Sequence, residues 1–177
     1  MFKGMLTIGM ITCLSLTGQA AEAAWLFQDY ESAFDDTNSV QAAMTVGRYG
    51  GFGVRCHSEE LSVVYMLSDT NFDAETVEKS NSLGVFKLKV RVDKNTTEEL
   101  EATASLPKAG MLMLVAAVSR EHVEQIRDAK KQIAVAVSLI GQNYYEDKIS
   151  VSGSTAVVQK VLDGCFNNDT AATAKTE

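Results

Sequence analysis

The chain has 177 residues, a net charge of −7 and 46% apolar residues, which suits one globular domain long enough to bury a core. Its acidity excludes sequence-independent nucleic-acid binding, which needs cations that displace counterions. Three cysteines and two histidines leave little material for thiol, imidazole or zinc chemistry.

The first element is a leader. A basic start at Lys3 precedes an apolar run from Met5 to about Leu16, and Ala21-Glu22-Ala23 gives a small-x-small cleavage pattern. Together they predict a signal peptide over residues 1–23, removed on export to the periplasm or beyond. The run is too short for a permanent anchor. A lipoprotein would need Cys13 as its acylated end, but Thr12 is a poor residue before it. Removing 23 of the 177 residues leaves 154 and keeps the charge at −7, because Lys3 and Glu22 leave together.

The mature domain is expected over 24–166. "FDDTNS" (34–39) reads as a turn whose Asp and Asn side chains bond backbone amides; it lacks the residue order of a calcium loop. Strands are predicted at 40–46, 51–56 and 60–67 from their apolar content and the short turns between them. Residues 68–82 are polar and predict a loop with at most a helical turn. In "VFKLKVRVD", Phe86, Leu88, Val90 and Val92 share one face, while Lys87, Lys89, Arg91 and Asp93 share the other. "TEELEATASL" predicts one returning strand, Leu100, Ala102 and Ala104 inward, its acidic face beside the basic one.

Pro107 marks a turn before the apolar strand 111–118. Ser119 caps a predicted helix through 131, with Val123, Ile126 and Ala129 or Lys130 as a narrow stripe at the core's edge. Strands follow at 132–140 and 144–151. A second helix runs from about Ser154 to Gly164, opened by "SGST", with Val158, Val161, Leu162 and Cys165 on one face. Residues 167–177 carry no large apolar side chain and predict a disordered tail. The fold class is therefore α+β and β-rich: a mainly antiparallel bent sheet or sandwich with two short helices in the C-terminal half.

The adjacent Cys56 and His57 suggest a reactive thiol and its base, but a strand points neighbouring side chains to opposite faces. Cys56 joins Phe52 and Val54 inward; Arg55 and His57 face out. With Cys13 removed, Cys56 and Cys165 remain in an oxidising compartment, each on an apolar face, and predict a disulfide. No metal-ligand spacing accompanies His57, and no phosphate loop, dinucleotide fingerprint or nucleophile elbow is present. No catalytic residue, metal or cofactor is assigned. Arg55, His57, Lys87, Lys89 and Arg91 are the candidate partner surface. Asn95-Thr96-Thr97 is a formal glycosylation sequon.

Trp25, "AFDDTNSV", "VRC" with Arg55 and Cys56, "VRVD" with Arg91 and Asp93, and "SVSGSTAVVQKVLDGC" ending at Cys165 form an ordered set over residues 25–165. That set resembles the VasI/TagO family, small secreted bacterial proteins associated with type VI secretion. Two tryptophans of the pattern are absent: "LEATAS" stands where one would follow the Arg91 strand, and Phe166 where one would follow the last cysteine. The resemblance implies an accessory protein with a protein partner in the bacterial envelope, and no catalytic residues. A secreted inhibitor or immunity-like protein presenting loop 68–82, or a small cell-wall or host-directed hydrolase, are the alternatives. Thiol titration of the oxidised mature chain should find neither Cys56 nor Cys165 free; two titratable thiols would refute the pairing.

Overall fold

The computed structural model describes residues 24–31 and 39–166. The expected leader (1–23), most of the "FDDTNS" turn and the expected tail (167–177) lie outside the described residues. In chain order the elements are β1 (Leu26–Glu31), β2 (Ser39–Val46), β3 (Gly50–His57), β4 (Glu60–Leu67), α1 (Ala74–Ser82), β5 (Phe86–Val92) and β6 (Glu98–Glu101). They continue as β7 (Thr103–Ser105), β8 (Leu112–Ala117), α2 (Arg120–Asp128), β9 (Gln132–Leu139), β10 (Gln142–Ser150) and α3 (Ser154–Phe166).

The strands form two antiparallel sheets, one six-stranded in the order β1-β2-β3-β4-β8-β7 and one four-stranded in the order β10-β9-β5-β6. Period-two alternation sends one set of side chains from each strand into a shared core. Phe52, Val54, Leu61, Val63, Tyr65, Leu112 and Leu114 come from the first sheet; Phe86, Leu88, Val90, Ile133, Val135 and Val137 come from the second. The fold is α+β and β-rich, as the alternation predicts.

The narrower sheet cannot cover the wider one. It meets the first sheet at β7 and β8, and α3 covers β1, β2 and β3. Val158, Val161, Leu162 and Cys165 of α3 are all buried. Cys165 is joined to Cys56 by a disulfide, with 5.7 Å between their Cα atoms. Trp25 closes the same region, stacking edge-on against Phe52 and donating its indole N–H to the Ser150 carbonyl at 2.8 Å.

Several local expectations need correction. Residues 74–82 form a true helix rather than a loop. Asp73 caps it by accepting the Thr76 N–H at 2.7 Å, but only Val77 is buried, so the sequence carries no apolar stripe to reveal it. The strand expected over 97–106 is split. Glu98–Glu101 pairs with β5, and Thr103–Ser105 crosses to pair with β8 in the other sheet. The Asn81 side chain holds that crossing, donating to the Ala104 carbonyl at 2.8 Å and accepting its N–H at 2.9 Å.

β1 goes unseen in the sequence because "LFQDYE" does not alternate cleanly. Helix α2 ends at Asp128, short of 131, and its Val123 and Ile126 are fully buried rather than at the core's edge. Ser154 is the first residue of α3, where the spacing places it, and its buried hydroxyl has no hydrogen-bond partner.

Gly164 faces Gln41 of β2 so closely that a Cβ there would overlap the buried end of that side chain. Gly→Ala inside an ordinary helix stabilises by about 1 kcal/mol. Here the methyl must displace the carboxamide of Gln41, the far end of a flexible side chain, and that displacement offsets the gain. Gly164→Ala should therefore leave the urea midpoint little changed; a gain of the full ~1 kcal/mol would refute the close approach.

Candidate partner surfaces

The five residues expected to form one partner surface lie on two. Arg55 and His57 project from β3 on the outer face of the six-stranded sheet, opposite the buried Cys56. Lys87, Lys89 and Arg91 project from β5 on the outer face of the four-stranded sheet, opposite buried Leu88 and Val90. The two inner faces share one core, so these outer faces point away from each other. Sequence spacing finds the correct face of each strand and says nothing about which sheet each strand joins.

On the four-stranded sheet the cations are not equivalent. Lys87 meets Glu101 at 2.9 Å and Glu99 at 3.7 Å across the β5–β6 ladder, and Lys89 meets Glu99 at 3.3 Å. Hydrogen bonding and attraction from Glu101 raise the Lys87 pKa, with Glu99 adding to the effect. Arg91 stands beyond β6's last acid. It is exposed and makes no ion pair among the described residues. In register beside Lys89 and Arg91, β9 carries Ala136 and Ala134. Those small side chains sit lower than their neighbours and floor a recess of about 150 Å³, rimmed by Arg91, Lys89, Thr97, Asn143 and Glu146.

Asp93, at the end of the same strand, does not face out with the cations. It adopts φ +51° and accepts three backbone N–H groups, from Lys130 at 2.8 Å, Lys131 at 2.7 Å and Gln132 at 3.0 Å. These bonds hold its carboxyl below the usual range. The residue thereby joins β5 to the segment between α2 and β9.

Two buried polar groups escaped the sequence reading. His122 sits in the first turn of α2, only 4% exposed, with Nδ1 2.8 Å from Glu98 Oε2 on β6. The described cysteines, Cys56 and Cys165, offer it no thiol because they are joined in a disulfide. Asp147 of β10 is 8% exposed and accepts the backbone N–H of Arg48 at 2.5 Å and of Lys148 at 2.7 Å. Gly47 is a glycine because a Cβ would strike Asp147 and Ile149. Beside them Tyr65 donates to the Tyr145 carbonyl at 2.8 Å, and burial, then the charges of Asp147 and Tyr49, push its pKa up. This cluster binds the β2–β3 turn to the bulge in β10. Both groups pair residues remote in sequence, so no local spacing announces them.

Among the described residues, no group of three or more His, Cys, Asp or Glu side chains is placed to hold a metal ion. Nor is any described helix long and apolar enough to cross a membrane.

No protein-family profile matches the chain, and no curated protein matches it. Among solved structures it is similar to the invasion associated protein B of Bartonella henselae, at 11% identity and a TM-score of 0.46 over 80% of this chain and 94% of that one. A likeness that loose assigns no role to any residue here.

The Asp93 anchor has a pH signature. A carboxyl with a lowered folded pKa contributes stability that is complete above its unfolded value near 4 and is lost as pH falls through the folded value. Asp93→Asn should therefore be less stable than wild type at neutral pH. The gap should shrink progressively below about pH 4. Urea midpoints across pH 2–7 would show this; a gap independent of pH would remove the charge from the account.

Proposed function

We propose that the chain is a non-enzymatic binding module, exported to the periplasm or beyond, which serves a protein assembly of the bacterial envelope. The type VI secretion accessory role implied by the sequence resemblance is the specific form of this reading. A disulfide as the central staple suits an oxidising compartment.

The observation that carries the proposal is the unequal use of cations on β5. Lys87 and Lys89 are engaged with Glu99 and Glu101, and Arg91 is left exposed at the rim of the alanine-floored recess. A guanidinium presents a planar fork suited to a carboxylate, and a shallow recess beside it can seat the rest of a side chain. On an otherwise acidic chain, this is where an acidic protein segment can approach. Thr97 and Asn143 supply further hydrogen-bonding groups at the rim.

The test is capture of envelope proteins by the immobilised mature chain, with mass spectrometry of what binds. Arg91→Glu should reduce recovery of the specific partner at least tenfold, since a charge-assisted pair is worth about 1.5–3 kcal/mol. Lys87→Glu should weaken capture less, because that lysine is already neutralised by its neighbours. Equal capture by wild type and Arg91→Glu would remove this face from the reading.

A further inference from the structure

We infer, resting on the reading of the Arg91 recess as the partner site, that the segment seated there carries a base beside its acid. Its carboxylate meets Arg91 on one wall and its ammonium meets Glu146 on the other.

The recess is a trough along β9. Ala134 and Ala136 face outward from that strand, because Ile133, Val135 and Val137 turn into the core. β5 lies on one side of β9 and β10 on the other. Arg91 stands in register beside Ala134, and Lys89 beside Ala136. The opposite wall comes from β10. Its ladder with β9 is broken by the bulge between Tyr144 and Asp147, and Asp147 turns inward to accept the Arg48 N–H. Its neighbour Glu146 therefore turns outward and joins Asn143 at the rim. Lys148 is the next outward residue of β10 and does not line the recess.

The chain itself leaves the charges on these two walls unused. Lys89 is engaged by Glu99. Arg91 and Glu146 are both exposed, and neither forms an ion pair or a side-chain hydrogen bond among the described residues. The side chains of Asn143 and Thr97 have no hydrogen bond there either. Across β5–β6, where the strands are adjacent, opposite charges do meet. Arg91 and Glu146 do not, because the alanine-bearing strand between them sets their backbones about 9.6 Å apart, twice the spacing of neighbouring strands.

That gap matches a dipole on an extended segment. Side chains at positions i and i+2 of such a segment point the same way and stand about 6.8 Å apart. An acid and a base at that spacing fit between the walls and reach one each, while the backbone crosses above the alanine floor. A wholly acidic segment would set its second carboxylate against Glu146, and a wholly basic one would set an ammonium against Arg91. Either mismatch works against binding, so the two walls select for mixed charge. The α-ammonium and α-carboxylate of a free amino acid share one carbon and are too close together to reach both walls.

Amide NMR of the mature domain with terminally blocked pentapeptides tests this. The peptides carry glutamate and lysine two positions apart in either order, two glutamates, or two lysines, in a threonine background that favours extended backbone. A mixed peptide in one of its two orders should shift the Ala134 and Ala136 amide signals. The two-glutamate peptide should bind the wild type at least about threefold more weakly, the scale of one exposed ion pair. Glu146→Lys should reverse that preference, with the circular dichroism spectrum unchanged because the site is exposed. The exchange Arg91→Glu with Glu146→Lys should select the mixed peptide of the opposite order. A wild type that binds the two-glutamate peptide as well as the mixed one overturns the dipolar fit and leaves Arg91 as the site of an acidic segment. An unchanged preference in Glu146→Lys overturns it too, as does the absence of any shift at both alanines up to roughly 10 mM peptide. Protein capture by Arg91→Glu judges the partner site separately, so the two failures are distinguishable.

Discussion

The fold depends on the attachment of α3 to the inner face of β3. A four-stranded sheet is too narrow to cover a six-stranded one, so β1, β2 and β3 would present bare apolar residues without the helix. The stripe Val158, Val161, Leu162 and Cys165 fills that gap, and Gly164 lets the helix settle against Gln41. The Cys56–Cys165 bond makes the attachment permanent by closing a loop whose ends are 109 residues apart. In the chain-entropy account a loop of that length stabilises by about 4–5 kcal/mol, chiefly by restricting the unfolded chain.

A second constraint shapes how the charge is used. The chain is acidic, yet several of its acids serve the backbone rather than the surface. Asp73 caps α1, Asp93 gathers three N–H groups between α2 and β9, and Asp147 holds the β2–β3 turn against β10. Each satisfies donors that regular structure leaves unpaired. Glu99 and Glu101 are likewise committed to Lys87 and Lys89. Arg91, at the end of that ladder, is the cation the ladder does not neutralise.

The two outer faces consequently differ in chemistry. The four-stranded sheet presents paired charges around a small recess with one unpaired guanidinium. The six-stranded sheet presents methionine, valine and glycine, with charges confined to one end. A single core separates them, so a partner on one face leaves the other open.

Much of this was legible in the sequence, and the division is physical. Alternation in "VFKLKVRVD" determines which side of β5 is buried, and the same period separates Cys56 from His57. The i, i+3, i+4, i+7 spacing of Val158, Val161, Leu162 and Cys165 determines the buried face of α3. These patterns are local, because a strand or helix must place its own side chains before it meets anything else. The tertiary structure alone decided what required two distant segments to meet. It split "TEELEATASL" between two sheets, made a helix of 74–82 on the strength of one buried valine and an aspartate cap, and set His122 against Glu98. It also carried Arg55 and Arg91 to opposite sides of the domain. Each strand's pattern states that it has an inside and an outside; only the sheet order states where that outside points.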